Sequence, residues 1–141
     1  MHVKDHIIAS IIFSAFLFPI FKWYTIIIFL SAVLIDGDHY LWYIIVKKRW
    51  SLKKAYYHRR DGNFHDLLDI AHTIEFWILI LILAIFSKFF FLVLVGITFH
   101  FILDFVYVRF IDQTKSDFRT FSIITWIYRR KSKKNYPYTN G

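Results

Sequence analysis

Residues 23–46 read WYTIIIFLSAVLIDGDHYLWYIIV, an apolar run interrupted by Asp36-Gly37-Asp38-His39 and then resumed. Its length is near the ~20 residues that carry a helix across ~30 Å of hydrocarbon. Polar and apolar residues do not alternate along it, which excludes a strand of a membrane barrel. Three runs of the same kind surround it, at about residues 5–21, 67–86 and 89–111. Phe18-Pro19 and Lys22 separate the first two, and Ser87-Lys88 the last two. The first run has Lys4 ahead of it, as a signal peptide does, but no small-x-small cleavage site follows and another apolar run begins at once. It therefore reads as a helix.

The composition agrees. The chain has 141 residues, 57 % of them hydrophobic, and 17 Phe, 9 Tyr and 5 Trp raise the aromatics to 22 %. That length allows one compact domain, too small a globule to hide so much apolar surface from water. Cysteine is absent, so disulfide scaffolds, thiolate nucleophiles and Cys-based zinc sites are excluded. The expectation is an all-α integral membrane four-helix bundle over residues 1–111, with spans at about 5–21, 23–46, 67–86 and 89–111.

Charge sets the orientation. Of 18 Lys and Arg, seven lie in 47–60 and eight in 109–134, and with Lys4 these fall on one side of the spans; only Lys22 and Lys88 fall on the other. Such asymmetry places both termini and the basic loop in the cytoplasm, in a multi-pass protein of the inner or plasma membrane. The tail, 112–141, is polar and basic, with one aromatic stretch, Phe118–Tyr128, expected to lie at the interface beside anionic headgroups. Basic blocks that flank apolar runs are topology signals, so membrane lipids rather than nucleic acid are the expected partners.

The chemistry lies in the ionisable residues inside these runs. The second run holds Asp36, Asp38 and His39; the third holds Asp69, His72 and Glu75, with His65 just before it; the fourth holds His100 and Asp104; His6 opens the first. Each charged group near the bilayer centre costs about 2.5–3.5 kcal/mol on insertion scales, so several carboxylates need an offset. A cation bound among imidazoles supplies one. Spacings of three and four predict one helical face for Asp36 and His39, for His65, Asp69, His72 and Glu75, and for His100 and Asp104. Imidazole with carboxylate suits one or two divalent ions, Zn²⁺ first, with Mn²⁺ or Fe²⁺ next. The ligand candidates are His6, Asp36, Asp38, His39, His65, His72, Glu75, His100 and Asp104. Interhelical polar glue is the bland alternative, but glue draws on Ser, Thr and Asn rather than several acids.

The order of these pieces is that of a known group. His6, Asp36-Gly37-Asp38-His39 closing an apolar segment, His58-Arg59 and His65 in a basic loop, His72-Thr73-Ile74-Glu75, and Gly96-x-x-x-His100-x-x-x-Asp104 follow one another over about residues 6–104. The pattern resembles the membrane-bound metal-dependent hydrolases, the YdjM-like integral membrane proteins. Ile35 stands where that group commonly has Pro, and His58-Arg59-Arg60 and Phe64-His65-Asp66 stand where it often has His-Arg-Gly and Thr-His-Ser. The resemblance implies a metal site and hydrolysis.

The expected function is metal-dependent hydrolysis of a lipid-linked phosphate or ester at the cytoplasmic leaflet. Glu75 is a candidate catalytic group as well as a ligand, and His58, Arg59 and Arg60 are candidates to bind phosphate and stabilise its developing charge. The alternative is a small metal- or proton-coupled transporter or sensor, since intramembrane His and acid pairs also mark ion pathways. The outer halves of the four runs carry no ionisable residue, which argues against a conduit.

Overall fold

The computed structural model of the chain describes residues 3–60, 69–110 and 122–131. Among these, 90 % are helical and no strand occurs, as the all-α expectation requires. Helix α1 (Val3–Phe21) contains Pro19 in its last turn and gives way to a 3₁₀ turn, Lys22–Tyr24. Lys22 takes a left-handed backbone (φ 50°), and the Thr25 hydroxyl closes the turn by donating to its carbonyl at 2.7 Å. Helix α2 (Thr25–Leu34) then returns along α1.

Within the second apolar run the chain does not continue as one helix. The bonds Asp36 N to Val33 O (3.4 Å) and Asp38 N to Ile35 O (3.3 Å) tighten it by one 3₁₀-type step. Helix α3 (Gly37–Lys47) starts there with Asp38 in its first turn, and ends on left-handed Lys48. Helix α4 (Leu52–Arg60) follows, with the Ser51 hydroxyl accepting from Lys54 N–H.

The third run departs further from expectation. Asp69 is extended, Ile70–His72 form a 3₁₀ turn, and Thr73 is extended again (φ −91°, ψ 152°). Helix α5 (Ile74–Phe86) begins only after that break, with Thr73 Oγ1 accepting from Phe76 N–H as its cap. Ser87 joins it to α6 (Lys88–Phe110), and α7 (Ile123–Lys131) is the last described element.

Helix α6 is the centre of the packing, in contact with α1, α2 and α5. It meets α2 at Gly96, where a Cβ would collide with Ser31 Oγ and the Ile28 carbonyl. It meets α5 through Trp77 Nε1, which donates to Thr98 Oγ1 at 2.9 Å, and α1 through the stacked rings of Phe13 and Phe99, 3.9 Å apart. Ile35, Ile80 and Ile97 close an apolar core among these helices.

The outside is apolar too. Ile8, Phe16 and Ile20 on α1, Ile82 and Ile85 on α5, and Phe105 on α6 are all exposed. Two helical stretches, Lys4–Ile45 and Lys88–Tyr107, are long and apolar enough to cross a membrane, and α5 is apolar but shorter. The most apolar windows of the two long stretches are only 22 % and 28 % buried, whereas a core helix of a soluble protein is mostly covered.

Candidate metal centre

The buried interior of this apolar shell is where the polar residues gather. His6, on the first turns of α1, is buried, as are His100 and Asp104 on α6. Asp36 follows α2, Asp38 and His39 open α3, and Asp69 and His72 flank the 3₁₀ turn before α5. Side-chain exposure of Asp36, Asp38, His39, Asp69 and His72 is 10–13 %. Four groups drawn from these residues bring three potential ligand atoms within 4.8 Å of one another: His6, Asp36 and His100; Asp36, His39 and His72; His72, His100 and Asp104; and Asp38, His39 and Asp69.

Hydrogen bonds on the outer ring nitrogens decide how two imidazoles face the centre. His100 Nδ1–H donates to the Ala32 carbonyl at 2.8 Å, a contact made possible by the close approach of α2 and α6 one turn away at Gly96. His72 Nδ1–H donates to Asp38 Oδ2 at 2.9 Å, and the same oxygen accepts from Ala71 N–H at 3.1 Å. Each ring therefore carries a proton on Nδ1 and turns Nε2 inward. Such outer contacts fix the tautomer and raise the basicity of metal-binding imidazoles.

The two inward nitrogens lie 3.2 Å apart. At that separation the two nitrogens can share a proton, or both can face a cation. Asp36 Oδ1 lies 3.7 Å from His72 Nε2 and 3.6 Å from His100 Nε2, and Asp104 Oδ2 lies 3.8 Å from His100 Nε2. A proton would serve two of these atoms, whereas a metal ion could serve three, as in the group of His72, His100 and Asp104. Ligands at about 2.0–2.2 Å around a tetrahedral ion stand roughly 3.3–3.6 Å apart, close to the separations here. Two imidazole nitrogens with carboxylate oxygens fit Zn²⁺, Mn²⁺ or Fe²⁺. The residues present can hold such an ion.

His6 flanks this set. Its ring stacks on His100 at 4.1 Å, and Nε2 lies 3.2 Å from Asp104 Oδ1 in a buried hydrogen bond. His39 stacks on His72 at 4.6 Å. Its Nε2 lies 3.3 Å from Asp36 Oδ1, while Nδ1 faces Asp69 Oδ1 at 2.7 Å and Asp38 Oδ1 at 3.0 Å.

Not every expected residue comes to the cluster. The Glu75 carboxylate accepts from Ser122 Oγ at 2.6 Å and from the backbone N–H groups of Ile123 (3.1 Å) and Ile124 (3.4 Å). It caps the N-terminus of α7, where a negative charge is favoured. The extended Thr73 is the physical reason: the three-residue step from His72 to Glu75 is not helical, so the two side chains share no face. Asp69, which sequence spacing placed on that face but not among the ligands, stands in the cluster instead. The side chains of His58, Arg59 and Arg60, and His65 altogether, lie outside the described residues.

Comparison with protein-family models, curated proteins and solved structures finds no match to this chain.

Proposed function

We propose that the chain is a membrane-embedded, metal-dependent hydrolase acting on a lipid-linked phosphate or ester at the cytoplasmic leaflet. One observation carries the reading: imidazoles and carboxylates from sequence-distant segments converge, with His72 and His100 locked in ligand-ready tautomers, inside a shell of exposed apolar side chains. In this reading α1, α2 with α3, α5 and α6 form a four-helix membrane bundle. Helix α5 is about 20 Å long at 1.5 Å per residue, and residues 69–73, a 3₁₀ turn between extended Asp69 and Thr73, add to its reach. The ordered likeness to the YdjM-like membrane hydrolases points the same way.

Asp36, His72, His100 and Asp104 hold the ion. When bound, a divalent cation supplies Lewis acidity and a water that ionises near neutral pH, so no Ser or Cys nucleophile is needed. His6, hydrogen-bonded to Asp104, is placed to take or return a proton beside the ligands. His58, Arg59 and Arg60, at the end of α4, are proposed to clamp the phosphate.

A second reading, a metal- or proton-coupled carrier, has one observation in its favour. Ser10 and Ser14 continue the His6 face of α1 by one and two turns, and their buried hydroxyls have no hydrogen-bond partner among the described residues. The test uses detergent-purified full-length protein loaded with Zn²⁺ or Mn²⁺ and a panel of phospholipids and polyprenyl phosphates. Release of phosphate or headgroup is expected, and His72→Ala and Asp104→Ala should lose both metal and turnover while still inserting. Chelation should also lower the melting temperature, since ligand at a hundred times its Kd stabilises by about 2.7 kcal/mol. An uncleaved panel, with metal crossing liposomes in a His100-dependent way, would establish the carrier.

A further inference from the structure

We propose that Asp38, His39 and Asp69 hold a second divalent cation beside the one assigned to Asp36, His72, His100 and Asp104, which makes the cluster a two-ion centre. This rests on the metal-centre reading above. Asp38 is oriented for it. Its Oδ2 is occupied by Ala71 N–H and His72 Nδ1–H, which leaves Oδ1 facing His39, buried and without a hydrogen bond among the described residues. Asp69 Oδ1 approaches the same nitrogen from the extended residue before the 3₁₀ turn.

Two carboxylate oxygens at 2.7 and 3.0 Å from one ring nitrogen pose a charge problem, because a single N–H serves one of them. With the His39 proton on Nε2, directed at Asp36 Oδ1 3.3 Å away, Nδ1 presents a lone pair to both oxygens. A cation among the three resolves the conflict. The separations also choose its type: ligands at 2.0–2.1 Å in an octahedron stand about 3.0 Å apart, which suits a hard ion such as Mn²⁺ or Mg²⁺. The wider spacing around His72 and His100 suits a tetrahedral ion instead.

Asp36 lies between the two positions, within 3.3–3.7 Å of nitrogens on His39, His72 and His100. Paired ions stabilise both the attacking and the leaving oxygen of an in-line displacement at phosphorus. The substrate class this favours is a phosphoester.

Equilibrium dialysis of the full-length protein in detergent against Mn²⁺, read by elemental analysis and electron paramagnetic resonance, tests the proposal. Wild type should bind two ions per chain and show an exchange-coupled pair, and Asp69→Asn should bind one and show the isolated-ion spectrum. One ion per wild-type chain overturns the two-ion centre, and its survival in Asp69→Asn assigns it to the first position. No ion in wild type overturns the metal-centre reading itself. Two coupled ions retained in Asp69→Asn, with helicity unchanged by circular dichroism, remove Asp69 from the site. The wild-type stoichiometry decides the question even if the variant fails to fold.

Discussion

At Gly96 a single missing Cβ sets how near α2 and α6 approach, and that distance lets His100 reach the Ala32 carbonyl. Gly96→Ala drives a methyl group into Ser31 Oγ and the Ile28 carbonyl, so the helices must part. Overpacking of this kind costs about 1–3 kcal/mol, and the loss of the Ala32 contact should weaken metal binding as well. Gly37→Ala is the matched control: nothing lies within 4 Å of a Cβ there, and both thermal stability and metal content should stay near wild type. Equal damage from the two substitutions would mean that close approach at Gly96 does not position His100. His6, Asp36, Asp38, His39, His72, His100 and Asp104 were legible as a cluster because an ionisable group inside an apolar run is conspicuous whatever the backbone does. The placing of Asp69 in the cluster and of Glu75 at α7 was not legible, because their spacing from His72 has meaning only if one helix continues through Thr73, and it does not.

The apolar runs announced the helices that bear the site, but not the places where those helices stop. The step at Ile35-Asp36 carries no proline, and the three-residue spacing of Asp36 and His39 is that of a continuous helix, so periodicity alone could not reveal it. The start of α5 was better marked, since Thr73 is a capping residue and accepts a bond from Phe76 N–H. Helix α7 shows what the break achieves, because it frees Glu75 to cap a distant element. Ile124, Ile127 and Tyr128 form its exposed apolar side, and Arg129, Arg130 and Lys131 end it, the composition of a helix that lies on an anionic lipid surface. Glu75→Ala should release α7, which limited trypsinolysis reads as faster cleavage after Arg129, Arg130 and Lys131. Metal content should be unchanged, and a lost ion would return Glu75 to the ligand set.

Across the molecule, polar His6, Thr73, His100 and Asp104 are buried beside an apolar core while many large apolar side chains are exposed. Two helical stretches are apolar enough to cross a membrane. The proposed bundle has a definite orientation. Lys22 and Lys88 mark one end, where Lys88 Nζ lies 5.0 Å above the Tyr24 ring, and α4 and α7 carry most of the described positive charge at other positions. In inverted and right-side-out vesicles, single-cysteine variants of this cysteine-free chain at Lys22 and Lys88 should react with an impermeant maleimide from outside. Variants at Lys54 and Lys131 should react from inside. Lys54 labelled from outside would move the metal centre to the opposite face and with it the source of substrate.

The hydrogen bond between His6 and Asp104 joins residues 98 positions apart. At a synthesis rate of 5–20 residues per second, about 5–20 s separate the two ends of that bond on the ribosome. If the helices insert in order, α1 and α2 wait in the membrane with His6 and Asp36 exposed while α6 is still being made. In that case the polar groups of α1 and α2 are most exposed just before α6 joins them. On the proposed reading the ligand set is complete only once α6 has joined α1 and α2, so ion binding would report that these three helices have met.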